Sequence, residues 1–162
     1  MSEENRKAIR ISVRNLVEFV LRSGDIDNRR SGNAQKDAML AGGRIHRKIQ
    51  KRMGSGYRAE VRLKHEVQDE EQEITLLVEG RADGIFTENG IPVIDEIKGM
   101  YTDISRLEEP IEVHLAQAMC YGYFYCCDKD LDGIRLQMTY CNLETEEIKR
   151  FQTDRSREEL ET

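Results

Sequence analysis

The sequence predicts one mixed α/β domain, a central mixed sheet flanked by helices, and three observations carry that prediction. Apolar residues recur at helical spacing in the first third of the chain. They switch to a period of two from Tyr57, and a further helical stretch then precedes two more period-two segments. With 162 residues, 38% hydrophobic and 35% charged, residues 1–162 are expected to form a single domain around one compact core.

Ser12 precedes Val13, Leu16, Val17, Val20 and Leu21 at helical spacing and Gly24 follows them, which describes an amphipathic helix with a hydroxyl at its N-cap and a glycine at its end. The polar stretch 25–33 reads as turn. Ala38, Met39, Gly42, Ile45, Ile49 and Met53 mark a second helix stopping near Gly54, with Arg44, Arg47, Lys48, Lys51 and Arg52 on its other face. Residues 57–67 alternate as a half-buried strand with Ala59, Val61, Leu63, His65 and Val67 inward. Residues 74–79 and 81–86 read as strand, one long strand interrupted at Gly80. Glu88-Asn89-Gly90 then supplies a hairpin turn into a strand over 91–98. After Pro110 a helix is expected over 111–126, with Leu115, Met119, Tyr123 and Cys126 as its buried stripe. Strands over 134–141 and 146–152 follow, and SREELE opens a last helix.

Charge is unevenly divided. Residues 1–64 carry a net +9 and residues 65–162 a net −15, which together give −6. A basic half can present a phosphate-binding face on an acidic chain, because local potential rather than total charge attracts a polyanion. No stretch approaches the roughly eighteen apolar residues of a membrane span, and MSEENRKAIR has no signal-peptide core, so a cytoplasmic location is expected. There is no GxxxxGK[ST] loop for ATP hydrolysis. Cys120, Cys126, Cys127 and Cys141 lack CxxC spacing and read as reduced core residues.

The chemistry concentrates in GRADGIFTENGIPVIDEIKG. Side chains alternate along a strand, so Ile94, Glu96 and Lys98 share one face while Val93, Asp95 and Ile97 share the other. Asp95 is therefore set apart from the primary site. Asp83 and Glu96 lie about equally far from the hairpin's centre, so strand pairing brings their carboxylates together. Two clustered carboxylates repel unless a hard cation lies between them, and Mg2+ takes one or two such groups while keeping waters and phosphate oxygens. Lys98 is placed to orient a nucleophilic water or offset developing charge. The alternatives are a surface ion pair for Glu96 and Lys98 and a turn-proximal polar role for Asp83.

Asp83 followed by Glu96-Ile97-Lys98 resembles the signature of the PD-(D/E)XK nuclease superfamily. Gly42-Gly43-Arg44-Ile45-His46 resembles the helix motif of RecB-type nuclease domains, and Gln117 with Tyr121 matches their Q-x-x-x-Y motif. The resemblance spans about Ser12 to Cys141. It implies a restriction-endonuclease-like core and a Mg2+- or Mn2+-dependent deoxyribonuclease. Asp83, Glu96 and Lys98 would be catalytic, and His46, Asp83, Glu96 and the Ile97 carbonyl would be metal ligands. Gln117 and Tyr121 would hold DNA and catalytic groups, and Arg44, Arg47 and Lys48 would meet phosphates. No cysteine precedes Cys120, so the iron–sulfur cluster of one branch of that family is not expected. His46 has the alternative of a solvent-exposed basic-face residue and Tyr121 that of a core aromatic; Glu60 is a candidate supporting carboxylate.

Such domains occur fused to helicases, and the unfinished last helix suits a longer protein; DNA and a helicase domain or subunit are the expected partners. The other class of function is a catalytically inactive DNA- or partner-binding module of a helicase or repair assembly. It predicts metal-independent, salt-sensitive DNA affinity.

Overall fold

The computed structural model describes residues 7–21, 43–71, 73–101 and 103–161. The expected helix stop at Gly24, the turn at 25–33 and the start of the second helix at Ala38, Met39 and Gly42 lie outside them. The chain forms β1 (Lys7–Ser12), α1 (Val13–Leu21), α2 (43–52), β2 (Arg58–Asp69), β3 (Ile74–Glu88), β4 (Ile91–Met100), a single 3-10 turn at Ile104–Arg106, α3 (Glu112–Lys129), β5 (Gly133–Asn142), β6 (Ile148–Ser156) and α4 (Arg157–Glu161). The six strands make one mixed sheet flanked by helices.

β3 organises the sheet. β2 runs antiparallel along nearly its whole length on one edge. The other edge is shared: β1 pairs parallel with Ile74–Glu79, and β4 pairs antiparallel with Gly84–Glu88. Residues 80–83 therefore have no ladder partner on that edge among the described residues. β5 adds parallel to β4, and β6 antiparallel to β5. β1 was absent from the sequence reading, because six residues at the chain's start announce no partner more than sixty positions away.

The main core lies between the sheet and α1 and α3, with Val13, Leu63, Val78, Ala82, Ile85, Ile94 and Leu136 among its members. A smaller core on the other face joins Ile45 and Ile49 of α2 to Ile97 and Cys141. Val78 and Ala82 are even-numbered and Ile85 is odd, so the inward parity of β3 changes between Ala82 and Ile85. Beside that change Glu60, the β2 residue facing Asp83, takes a left-handed φ of 55° that non-glycine residues seldom adopt. This local departure from the regular ladder turns Asp83 toward the α2 side.

Several local signals act as the chemistry dictates. Asn15 donates its N–H to Ser12 Oγ at 3.1 Å, capping α1. Asn89 and Gly90 take φ of 51° and 81°, making the tight β3–β4 hairpin turn. Ser156 and Glu159 form a reciprocal capping box at α4, with both bonds at 3.1 Å.

Other expectations are corrected. Val20 of α1 is 58% exposed rather than inward. Pro110 precedes α3 instead of entering its first turn, and the Ile111 N–H donates to Tyr140 Oη at 2.9 Å. On α3 the fully buried residues are Gln117, Ala118, Tyr121, Gly122, Phe124 and Cys126, while Leu115, Met119 and Tyr123 are half-buried, because one face meets the sheet and another meets α1. β5 is buried continuously from Leu136 to Asn142 rather than alternating, since it lies between β4 and β6 with a helix-lined core on each face.

His114 gives the fold an acid sensitivity. Its Nδ1 lies 3.0 Å from Tyr140 Oη, which also accepts from Ile111 and has a hydroxyl proton that a neutral imidazole can accept. Burial, and secondarily the Lys98 charge, push its pKa down to about 4. A depressed histidine pKa gives stability that is full above the unfolded value of about 6.5 and lost as pH falls toward 4. The full linkage is about 3 kcal/mol, which partial exposure reduces to roughly 1–2 kcal/mol. Urea titrations at pH 7.5 and pH 4.5 are expected to show this loss, and His114→Gln to lack that part of it.

Candidate active site

Asp83 leaves the β3–β4 ladder where pairing stops. The last paired residues are Gly84 and Asp95, and beyond them the Asp83 carboxylate replaces the backbone: Ile97 donates its N–H to Asp83 Oδ2 at 2.7 Å. In return the Asp83 N–H points to Glu96 Oε1 at 3.4 Å. The two carboxylates thus meet across a split between strands, as the hairpin spacing predicts.

The α2 side adds His46, whose Nδ1 stands 3.5 Å from Asp83 Oδ1. Gln50, one turn further along, donates to the Asp83 carbonyl at 2.8 Å and to Glu60 Oε1 at 3.1 Å. Glu60 is therefore tied to the site through Gln50. Sequence reasoning passed over Gln50, although its spacing of four from His46 puts both on one helix face.

On the α3 side, Lys98 donates Nζ to Gln117 Oε1 at 2.9 Å, and its ammonium lies 3.7 Å from Glu96 Oε2. The Tyr121 hydroxyl faces the backbone N–H of Arg81, close above Gly80. Gln117 and Tyr121 are each 6% exposed. They were read as holding DNA and catalytic groups; Gln117 contacts Lys98, and Tyr121 faces the β3 backbone. Burial first, and the nearby carboxylates second, raise the Tyr121 pKa, so its phenol stays neutral.

Glu96 is 3% exposed, and its pKa stands well above the ordinary carboxylate value. Burial is the main cause, Asp83's charge adds to it, and Lys98 opposes it. A carboxylate so placed wants a second positive charge. Among the described residues no three His, Cys, Asp or Glu side chains close into a ready-made metal cluster. A hard divalent ion needs no such cage, because it takes one or two carboxylates and keeps much of its water. Asp83 and Glu96, with His46 and the Ile97 carbonyl beside them, fit that demand.

The basic face of α2 is less open than its sequence suggests. Arg44, Arg47 and Lys48 are exposed, but Lys48 Nζ pairs with Glu146 Oε1 of the β5–β6 turn at 2.6 Å.

Asp95 was set apart from the primary site, and the structure places it in a buried polar network of its own. It is fully buried and accepts from Thr139 at 2.6 Å, Tyr57 at 2.7 Å and Gln137 at 3.2 Å. Tyr57 reaches it across Gly84, where a Cβ would lie 1.8 Å from the ring, so glycine is required there by close approach.

No protein-family model matches the chain, and no curated protein matches it. The fold is similar to that in the crystal structure of SSO0001, with a TM-score of 0.59 and 19% identity over 94% of this chain and 68% of that one. The chain is thus an α/β protein with a mixed six-stranded sheet flanked by helices, a fold that structure shares in outline. Among the described residues no helix is long and apolar enough to cross a membrane.

Proposed function

We propose that this protein is a divalent-metal-dependent deoxyribonuclease with a PD-(D/E)XK-type core, acting in DNA repair, recombination or defence. The observation that carries the reading is the split between β3 and β4. It sets Asp83 against Glu96 with Lys98 at Glu96's far oxygen and His46 at Asp83's.

Asp83, Glu96, His46 and the Ile97 carbonyl would hold Mg2+ or Mn2+. When bound, the ion lowers the pKa of a water and offsets negative charge on the scissile phosphate. The chain's own groups do the positioning. Ile97 N–H fixes one Asp83 oxygen, leaving the other facing His46. Gln117 anchors Lys98 so that its ammonium can donate to the attacking water or to a phosphate oxygen. Water adds to phosphorus and gives up a proton to solvent, the P–O bond to one sugar breaks, and the departing oxygen takes a proton from solvent.

Gln117→Leu is expected to lower kcat by about 10–100-fold with little change in KM, since the buried amide holds Lys98. Gln117→Glu, which keeps an acceptor, is expected to recover part of the loss. A raised KM at unchanged kcat would return Gln117 to substrate binding. The proposed function is tested by titrating the protein with Mn2+ and following the free ion by paramagnetic resonance. One site per chain is expected, lost in Glu96→Gln; equal Mn2+ uptake by the variant would contradict the assignment.

A further inference from the structure

A second charged feature lies on the sheet itself. Over the first half of β3 the registers set Arg62 opposite Arg81, Lys64 and Ser12 opposite Glu79, and Arg10 opposite Leu77. Cross-strand partners share a face, and this one is opposite to that on which Leu63, Val78 and Ala82 enter the main core. Arg10, Arg62, Lys64, Arg81 and Glu79 are all exposed and line a groove of about 620 Å³.

The arrangement is unfavourable for the protein alone. Arg62 and Arg81 occupy directly opposed ladder positions, where Cβ atoms lie about 4.5–5.5 Å apart and like charges destabilise a sheet. The groove's lining holds four cations and one carboxylate, with Glu66 beyond Leu77 on the same face, and among the described residues none of the four cations is engaged in an ion pair. An anion with repeated negative charges would relieve the repulsion.

The groove also has a direction. Arg81 precedes Asp83 by two residues on β3, about 7 Å along the strand, and both fall in the stretch 80–83 that neither β1 nor β4 covers. Its outward side chains share the sheet face on which His46 meets Asp83. No aromatic ring lines it, so it is suited to gripping a backbone rather than stacking bases. Its volume matches a short run of linked nucleotides, not the broad surface that a duplex engages.

We propose that this groove binds the sugar-phosphate backbone of a single DNA strand and leads it toward Asp83. The destination rests on the nuclease reading above; the binding does not. The test is fluorescence anisotropy of a labelled single-stranded oligonucleotide in EDTA across a salt series. Wild type is compared with Arg62→Gln/Arg81→Gln and Arg62→Lys/Arg81→Lys. The glutamine pair is expected to bind about tenfold or more weakly at low salt, with the slope of log K against log salt reduced by about 1.4 for two lost phosphate contacts. The lysine pair is expected to stay near wild type in slope. Removing two opposed charges is also expected to leave Tm unchanged or raised, which separates lost binding from lost fold. Unchanged affinity and slope in the glutamine pair would overturn the track, and an equal loss on a duplex of the same sequence would overturn its single-strand assignment. Wild type that binds through the groove yet never cuts in Mn2+ would remove the nuclease reading alone. Undiminished binding and cutting by the glutamine pair would remove the track alone.

Discussion

Replacing Asp83 by alanine is expected to abolish metal-dependent DNA cleavage, with a loss on the order of 10³-fold or more. Two consequences add up in that substitution. One oxygen facing His46 disappears from the proposed metal site, and the Ile97 N–H loses the carboxylate that fixes the β4 backbone between Glu96 and Lys98. The second effect disturbs the very strand that carries the other two proposed catalytic groups. Asp83→Asn separates them: its amide oxygen can still accept from Ile97, so the backbone is kept while the charge is lost. Both variants should be inactive, and Asp83→Asn should have the smaller change in Tm. DNA affinity in EDTA should survive in both, because the basic groove is untouched. An Asp83→Asn protein that cuts as well as wild type would remove the carboxylate from the mechanism.

The largest effect on stability is expected at Asp95. Asp95→Ala leaves Tyr57, Thr139 and Gln137 without their common acceptor inside a fully buried layer. Breaking a buried network in this way costs about 3–5 kcal/mol, a large share of the roughly 5–15 kcal/mol that holds a domain folded. Urea unfolding should show a matching fall in midpoint, and a change below about 1 kcal/mol would mean that the network contributes little. Asp95→Asn should be milder, since an amide still accepts from Tyr57. The pH dependence has a definite sign. Burial raises the Asp95 pKa, so its contribution is fullest below the unfolded carboxylate value and declines as pH rises through the folded one. The stability gap between wild type and Asp95→Asn should therefore narrow from acid toward neutral pH.

The parts of this molecule that sequence revealed are those governed by local chemistry. The Asn89-Gly90 turn, the Ser12 cap and the period of two from Val61 to His65 in β2 depend on neighbours within a few residues, and the structure has each of them, while Ala59 and Val67 at the ends of that alternation are exposed. The facing of Asp83 and Glu96 followed from counting outward from that turn. What escaped depends on distant chain. β1 is defined by the free edge of β3, and the continuous burial of β5 by strands on both sides. The parity change opposite Glu60 could not be read from apolar spacing, because alternation continues on either side of it. The burial of Asp95 could not be read from its place in the alternation, and the pairing of Lys48 with Glu146 joins residues almost a hundred positions apart. Gln117 and Tyr121 were found by their spacing, while their burial depends on the packing of α3 against the sheet.

The most direct measurement is incubation of the purified wild-type protein with end-labelled single- and double-stranded DNA, linear and circular, in EDTA, Mg2+ or Mn2+, alongside Lys98→Ala. Cleavage that requires Mg2+ or Mn2+ and is lost in Lys98→Ala is the predicted result, and the circular substrates would show whether free ends are needed. Binding without cutting under every condition would contradict the nuclease and leave a metal-independent DNA-binding module in its place.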